Sequence, residues 1–134
     1  LDEVIHSVKA PEHLLARPYL WPLYDEPEFI IRNIWRLYAG WYDGNPANLK
    51  PAPEAAVARE LAELSGGPAR LASRASELAA AGDLKLACHV AELAALAAPD
   101  DAAIHETRAS ILRARAASED SLMARGIFNA AAAE

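Results

Sequence analysis

The sequence predicts an all-α protein assembled from antiparallel helical hairpins. Three observations carry this. Apolar side chains recur at helical spacing from Phe29 to Tyr42, helix-start and helix-stop residues punctuate the chain after Lys50, and no segment shows the period-two alternation of a strand. Composition divides the chain into an aromatic-rich part, residues 1–50, and an alanine-rich part, residues 51–134. Eight of the nine aromatics lie at or before Tyr42, whereas 28 of the 84 residues after Lys50 are alanine. The first part is therefore expected to pack by bulk and the second by close backbone approach. Both fit one domain, long enough to bury roughly two-thirds of its unfolded surface.

Residues 9–27 hold Pro11, Pro18, Pro22 and Pro27, so only short turns or one-turn helices fit there. The next helix is expected behind Asp25, an N-cap with Glu28 three residues on and Pro27 in the first turn. Phe29, Ile30, Ile31, Ile34, Trp35, Leu37, Tyr38, Trp41 and Tyr42 then form a stripe too broad for a lone surface helix. Asp43-Gly44-Asn45-Pro46 is the expected turn, with Gly44 as a left-handed stop and Pro46 forbidding continuation. Pro51 and Pro53 make a stiff joint. After it, Pro53 to Leu64 reads as a helix closed by Ser65-Gly66-Gly67, and Pro68 opens another that ends near Ala81-Gly82. Asp83 caps a helix with Leu84, Ala87, Cys88, Ala91, Ala94, Ala95 and Ala98 on one face, stopped by Pro99. Asp101 caps the next, which carries Ile104, Ile111 and Leu112. Ser118, followed by Glu119 and Asp120, is expected to cap the last helix and to let it bury Met123, Ile127 and Phe128.

The alanine-rich part also holds a partial repeat. Gly82, Ala87, Ala94 and Pro99 match the second-helix spacing of a tetratricopeptide unit, and Leu71, Ala75 and Leu78 take plausible first-helix places without the usual tryptophan. A following unit from Ala102 keeps Ala109 and Leu112 but loses the closing glycine and proline. That amounts to about one and a half units, short of the three or so that a free-standing array needs. A partly tetratricopeptide-like array and an ordinary antiparallel helical hairpin both stay open.

Charge and composition exclude several functions. The balance is 13 − 19 = −6 with no basic stripe, so no nucleic-acid partner is expected. No run of about 18 apolar residues exists to span a bilayer, so no membrane partner is expected either. A single cysteine, Cys88, excludes an internal disulfide framework but leaves the compartment open between cytoplasm and export. The chain starts at Leu1 and enters mid-pattern with Val4, Ile5 and Val8, as expected of a piece of something longer.

Tyr38-Ala39-Gly40-Trp41-Tyr42-Asp43-Gly44-Asn45-Pro46, followed by Leu49 and Pro51, resembles the tyrosine–glycine–aromatic–aromatic–DGNP signature of the alkyl sulfatase dimerisation region. The resemblance continues through Gly82-Asp83-Leu84 and Ala87, Ala98-Pro99-Asp100-Asp101, and Leu122-Met123-Ala124-Arg125-Gly126-Ile127-Phe128. It implies a helical dimerisation domain that follows the metallo-β-lactamase-type catalytic domain of a zinc-dependent alkyl sulfatase. The implied partners are a second copy of the chain and the catalytic domain of the same parent. The implied zinc belongs to that absent domain, and no cofactor is expected in this chain.

The residues themselves offer little chemistry. His6, His13, His89 and His105 are dispersed, and His105-Glu106 fails as a zinc-protease motif because Ala109 stands where the second histidine is needed. No catalytic or metal-binding residue is therefore expected here. Cys88 has no CxxC partner and reads as a small core hydrophobe. Gly66-Gly67-Pro68 lacks the lysine and Ser/Thr of a phosphate cradle and reads as a turn. Arg32, Asn33, Arg36 and Tyr38 form the one suggestive set, since Arg offers forked donors to a tetrahedral oxyanion such as sulfate. The resemblance places their helix near the entrance of the catalytic domain and makes them substrate-entrance candidates. Many members carry a histidine where this chain has Phe29, and an arginine where it has Leu37. Pairing of Arg32 with Glu28 at i,i+4 is the plainer alternative.

The sequence thus points to a dimerisation domain, not catalytic as an isolated chain, with Phe29, Trp35, Trp41 and Tyr42 as dimer-interface candidates and Asp43, Gly44, Asn45 and Pro46 as a structural turn. The contrasting reading is a tetratricopeptide-like module that takes a partner's peptide in a groove. The two differ in what covers the aromatics: a second copy, or an open concave face.

Overall fold

In the computed structural model, which describes residues 1–134, all regular structure is helical. The eight α-helices are α1 (Asp2–Ser7), α2 (Glu12–Leu15), α3 (Pro27–Tyr38), α4 (Glu54–Ser65), α5 (Pro68–Ala80), α6 (Leu84–Ala97), α7 (Ala102–Ala117) and α8 (Leu122–Ala131), with 3₁₀ turns over Pro18–Leu20 and Pro46–Asn48. The all-α expectation holds. None of these helices is long and apolar enough to cross a membrane. Contacts divide the chain into two compact units. Unit 1 is Leu1–Pro51 with Asp120–Ala124, and unit 2 is Ala52–Glu119 with Arg125–Glu134.

Unit 2 is built around α6. One core cluster joins Ala62 of α4, Leu71 and Ala72 of α5, Ala94 and Ala95 of α6, and Ile104 of α7. A second joins Ala75 and Leu78 of α5, Ala87 and Ala91 of α6, and Ile111 of α7. Alanine at the contact points lets the backbones approach closely, so small side chains make a dry core here. Apart from Ser118, the predicted punctuation is local and is found in place. Gly66 closes α4 at φ 92°, and Pro68 stands at the start of α5. The Asp83 carboxylate accepts from Leu86 N–H at 3.1 Å. Asp101 accepts from Ala103 and Ile104 N–H at 3.0 and 3.2 Å. The C-terminal carbonyls of α8 are served by guanidiniums of α7: Arg108 donates to Ala131 at 3.0 Å and Arg113 to Ala132 at 3.4 Å. Arg115 pairs with Glu119 and lies 5.5 Å from the ring centre of Phe128.

Four local expectations are corrected. The cap of α3 is Glu26, not Asp25: Pro27 takes the first helical position and holds Glu26 extended, at φ −128° and ψ 154°. The Asp25 carboxylate instead accepts from Glu26 N–H at 2.8 Å. Helix α3 ends at Tyr38, with Gly40 at φ 85°, so Trp41 and Tyr42 lie beyond it and Gly44 is not its stop. Ser118 does not open α8 but closes α7, its hydroxyl donating to Arg115 C=O at 2.8 Å. Ser121 opens α8 by accepting from Ala124 N–H at 3.2 Å. Of the three side chains expected to be buried on α8, Met123 and Phe128 are half-buried and Ile127 is 58% exposed.

Candidate functional site

The signature residues all fall in unit 1, around α3 and the turn that follows it. Helix α1 packs on α3, and of their apolar side chains only Ile5 and Ile31 are buried. A groove of about 300 Å³ remains beside them, lined by Val4, Val8, Ile31, Ile34, Trp35, Tyr38 and Ala39. Its lining is apolar apart from the indole N–H and the phenol. A helix with this many apolar side chains and so little covered surface is short of a partner within its own unit.

Past Tyr38 the chain turns at Gly40, and Trp35 spans that turn by donating its indole N–H to Tyr42 C=O at 3.1 Å. Trp41 packs edge-on against Tyr42, with ring centres 6.1 Å apart and planes at 67°. Trp41 itself is 74% exposed, whereas Phe29, Trp35 and Tyr42 are half-buried. Trp35, Trp41 and Tyr42 are thus neighbours, Phe29 lies near the start of the same helix, and Trp41 is the most accessible of the four.

The next four residues form a turn organised by a carboxylate. Asp43 Oδ1 accepts from Asn45 N–H at 2.8 Å and Oδ2 from the Asn48 side-chain amide at 2.5 Å, while Asn45 Oδ1 accepts from Ala47 N–H at 3.1 Å. Gly44 sits at φ 95°, and Pro46 begins the 3₁₀ turn. The Asn48 amide and the Asn45 backbone N–H, both donating to the ionised form, hold the Asp43 carboxyl below its ordinary value of 3.8.

Arg32, Asn33, Arg36 and Tyr38 are all exposed on α3, with Tyr38 at 84%. Arg32 and Arg36 stand one turn apart and can present two guanidiniums to one ligand. Elsewhere, the histidines that find partners find them nearby in sequence. His6 lies 3.3 Å from Asp2, and His105 Nε2 lies 2.9 Å from Pro99 C=O. No three of the chain's His, Cys, Asp and Glu residues come together to hold a metal ion. Cys88 is half-buried against the second core cluster, and burial raises its thiol above the ordinary 9.0.

Sequence reasoning passed over Leu23, Ser121 and the backbone carbonyl of Tyr24. Leu122 N–H donates to Leu23 C=O at 2.7 Å, and the Ser121 hydroxyl donates to Tyr24 C=O at 2.7 Å. Only the cap preference of serine before an apolar run hinted at Ser121, and Ser118 offered the same hint with acidic neighbours.

Comparison with known proteins follows the same residues. The family model described as alkyl sulfatase dimerisation matches residues 1–134. A linear primary-alkylsulfatase of Pseudomonas sp. is 33% identical over 113 residues, which are 84% of this chain and 21% of the relative. An alkyl/aryl-sulfatase of Saccharomyces cerevisiae is 32% identical over 78 residues, 58% of this chain and 12% of the relative. The solved structure of a double mutant of the sec-alkyl sulfatase PisA1 superposes with a TM-score of 0.90 at 25% identity, covering 99% of this chain and 21% of that one. This chain spans about a fifth or less of the length of these relatives.

Proposed function

The chain belongs to the alkyl sulfatase dimerisation family, and we propose that it holds two copies of an alkyl-sulfatase-like hydrolase together through the apolar surface of unit 1. The observation that carries this reading is the uncovered surface of α3 and its flanks. Ile30, Ile34, Leu37, Tyr38 and Trp41 are exposed, as are Tyr19, Trp21 and Tyr24 before the helix. Aromatic side chains of this kind dominate binding energy at protein interfaces, and two-fold pairing of one surface with itself is the commonest way to cover it. The family assignment favours this role over a peptide-binding module.

Sedimentation equilibrium over a concentration series tests it. A homodimer is expected, and Trp41→Ala should weaken it by about 2 kcal/mol or more while leaving the helical fold intact. A wild-type monomer at tens of micromolar, a concentration at which pairs of about micromolar affinity are dimeric, would remove the basis of the proposal.

Three finer points belong to the same reading. The parent would be a zinc hydrolase of metallo-β-lactamase type, with its metal held by residues outside this chain, since the dispersed ligands here do not fit a zinc site. Metal analysis of chelator-free protein should accordingly find no stoichiometric zinc. Arg32, Asn33, Arg36 and Tyr38 would wall one side of the substrate entrance, with forked donors aimed at a sulfate ester. In the full-length protein, Arg32→Gln and Arg36→Gln should then raise KM for alkyl sulfates; an unchanged KM would leave these arginines as helix-face residues. The hairpins of unit 2 would be tetratricopeptide-like. Gly82 at φ 88° between α5 and α6 supports this, as do Ala87 and Ala94, which have no exposed surface.

A further inference from the structure

Ser121 is the one fully buried polar side chain of the molecule, and its bonds reach far along the sequence. An N-cap serine needs only to accept an amide, as Ser121 does from Ala124 N–H at 3.2 Å. Its own proton goes to Tyr24 C=O at 2.7 Å, 97 residues away. Beside it, Leu122 N–H donates to Leu23 C=O at 2.7 Å and Met123 N–H to Tyr24 C=O at 3.3 Å. The first amides of a helix have no internal partner. Here the first two find theirs in the backbone of a segment that has no regular structure of its own, Trp21 to Asp25. That same segment displays Trp21, Leu23 and Tyr24 to solvent.

We propose that Ser121 is a clasp: together with the first amides of α8 it holds the Trp21–Tyr24 segment in the shape in which its aromatic side chains meet a second copy of the chain. The link to association rests on the dimerisation reading above; the clasp itself does not. Tyr24 C=O takes its closer bond from the hydroxyl and its longer one from Met123 N–H, so removing the hydroxyl leaves the weaker tie and strands a buried amide at Ala124.

Two substitutions test it by different routes. Ser121→Ala deletes the hydroxyl. Leu122→Pro deletes only the N–H that Leu23 accepts, at an exposed first helical position that suits proline. In each, hydrogen exchange at the Met123 and Ala124 amides is expected to quicken roughly tenfold or more, while α5 and α6 stay protected. The dimer dissociation constant should rise by a similar factor. Unchanged exchange at both amides would overturn the clasp. Loss of protection in α5 and α6 with both variants would overturn it too, showing a general pillar of the fold instead. Faster exchange with an unchanged dissociation constant would overturn the link to association. A monomeric wild type would sink the dimerisation reading, and with it that link, while the exchange measurement still decided the clasp.

Discussion

Asp43 does more than a surface carboxylate usually does, because both of its oxygens are occupied by donors within five residues. Its folded pKa is depressed, so its contribution is fully present above the ordinary 3.8 and is lost as pH falls through the lower folded value. A carbon-detected titration should therefore place the Asp43 midpoint below 3.8, and the Asn48 side-chain amide should shift with the same midpoint. A midpoint at or above the ordinary value would mean that the Asn48 bond does not persist in solution. Gly44 in the same turn is strained for any other residue by conformation alone. At φ 95°, a Cβ there would meet nothing within 4 Å. Gly44→Val is expected to cost about 1–3 kcal/mol in denaturant melts, all of it backbone strain. An unaltered midpoint would show that the turn relaxes freely. The bonds that Asp43 and Asn45 make join residues no more than five apart, which is why a sequence can suggest them.

Helices were legible where their ends are set by neighbours in sequence and illegible where distant contacts choose. Asp83, Asp101, Gly66 and Pro68 do their work within a few residues, and α4 ends and α5, α6 and α7 begin where those residues say. Gly40 was overlooked as the stop of α3 because the aromatic run continues past it to Trp41 and Tyr42, masking a break in the backbone. Ser118 and Ser121 are equal candidates on propensity alone. Only the carbonyl of Tyr24, far away in sequence, selects Ser121. The alanine faces of α5 and α6 were legible as contact surfaces, and their smallness has a measurable consequence. Ala94 has no exposed surface and touches a cluster drawn from four helices. Ala94→Leu adds three carbons where backbones are close, and the overpacking should lower the unfolding free energy by about 1–3 kcal/mol or more. The same change at Ala69, which is exposed on α5, should stay within about 0.5 kcal/mol. Equal melting of the two variants would mean that the contact of α6 at Ala94 has room for a larger side chain.

At the scale of the whole chain the two units differ in how much of their stability they can supply. Unit 2 contains both core clusters, in which side chains from three or four helices bury one another. Unit 1 buries Ile5 and Ile31 and leaves most of its larger apolar side chains in solvent. Its folding free energy must therefore draw on whatever covers that surface. Under the proposed pairing a second copy would do so by mass action, stabilising the bound form more as concentration rises. Hydrogen exchange at two protein concentrations, a hundredfold apart and spanning the dimer dissociation constant, separates the units. Protection in α3 and in the Trp35–Tyr42 turn should increase by a factor on the order of ten as the dimer fills. Protection in α5, α6 and α7 should remain constant, because those helices cover one another. Trp41→Ala should flatten the dependence in α3, since it removes an exposed aromatic that packs on the half-buried Tyr42. Concentration-independent protection in α3, in a protein shown to be dimeric, would move the interface to another surface and leave the apolar face of unit 1 to the remainder of a longer chain.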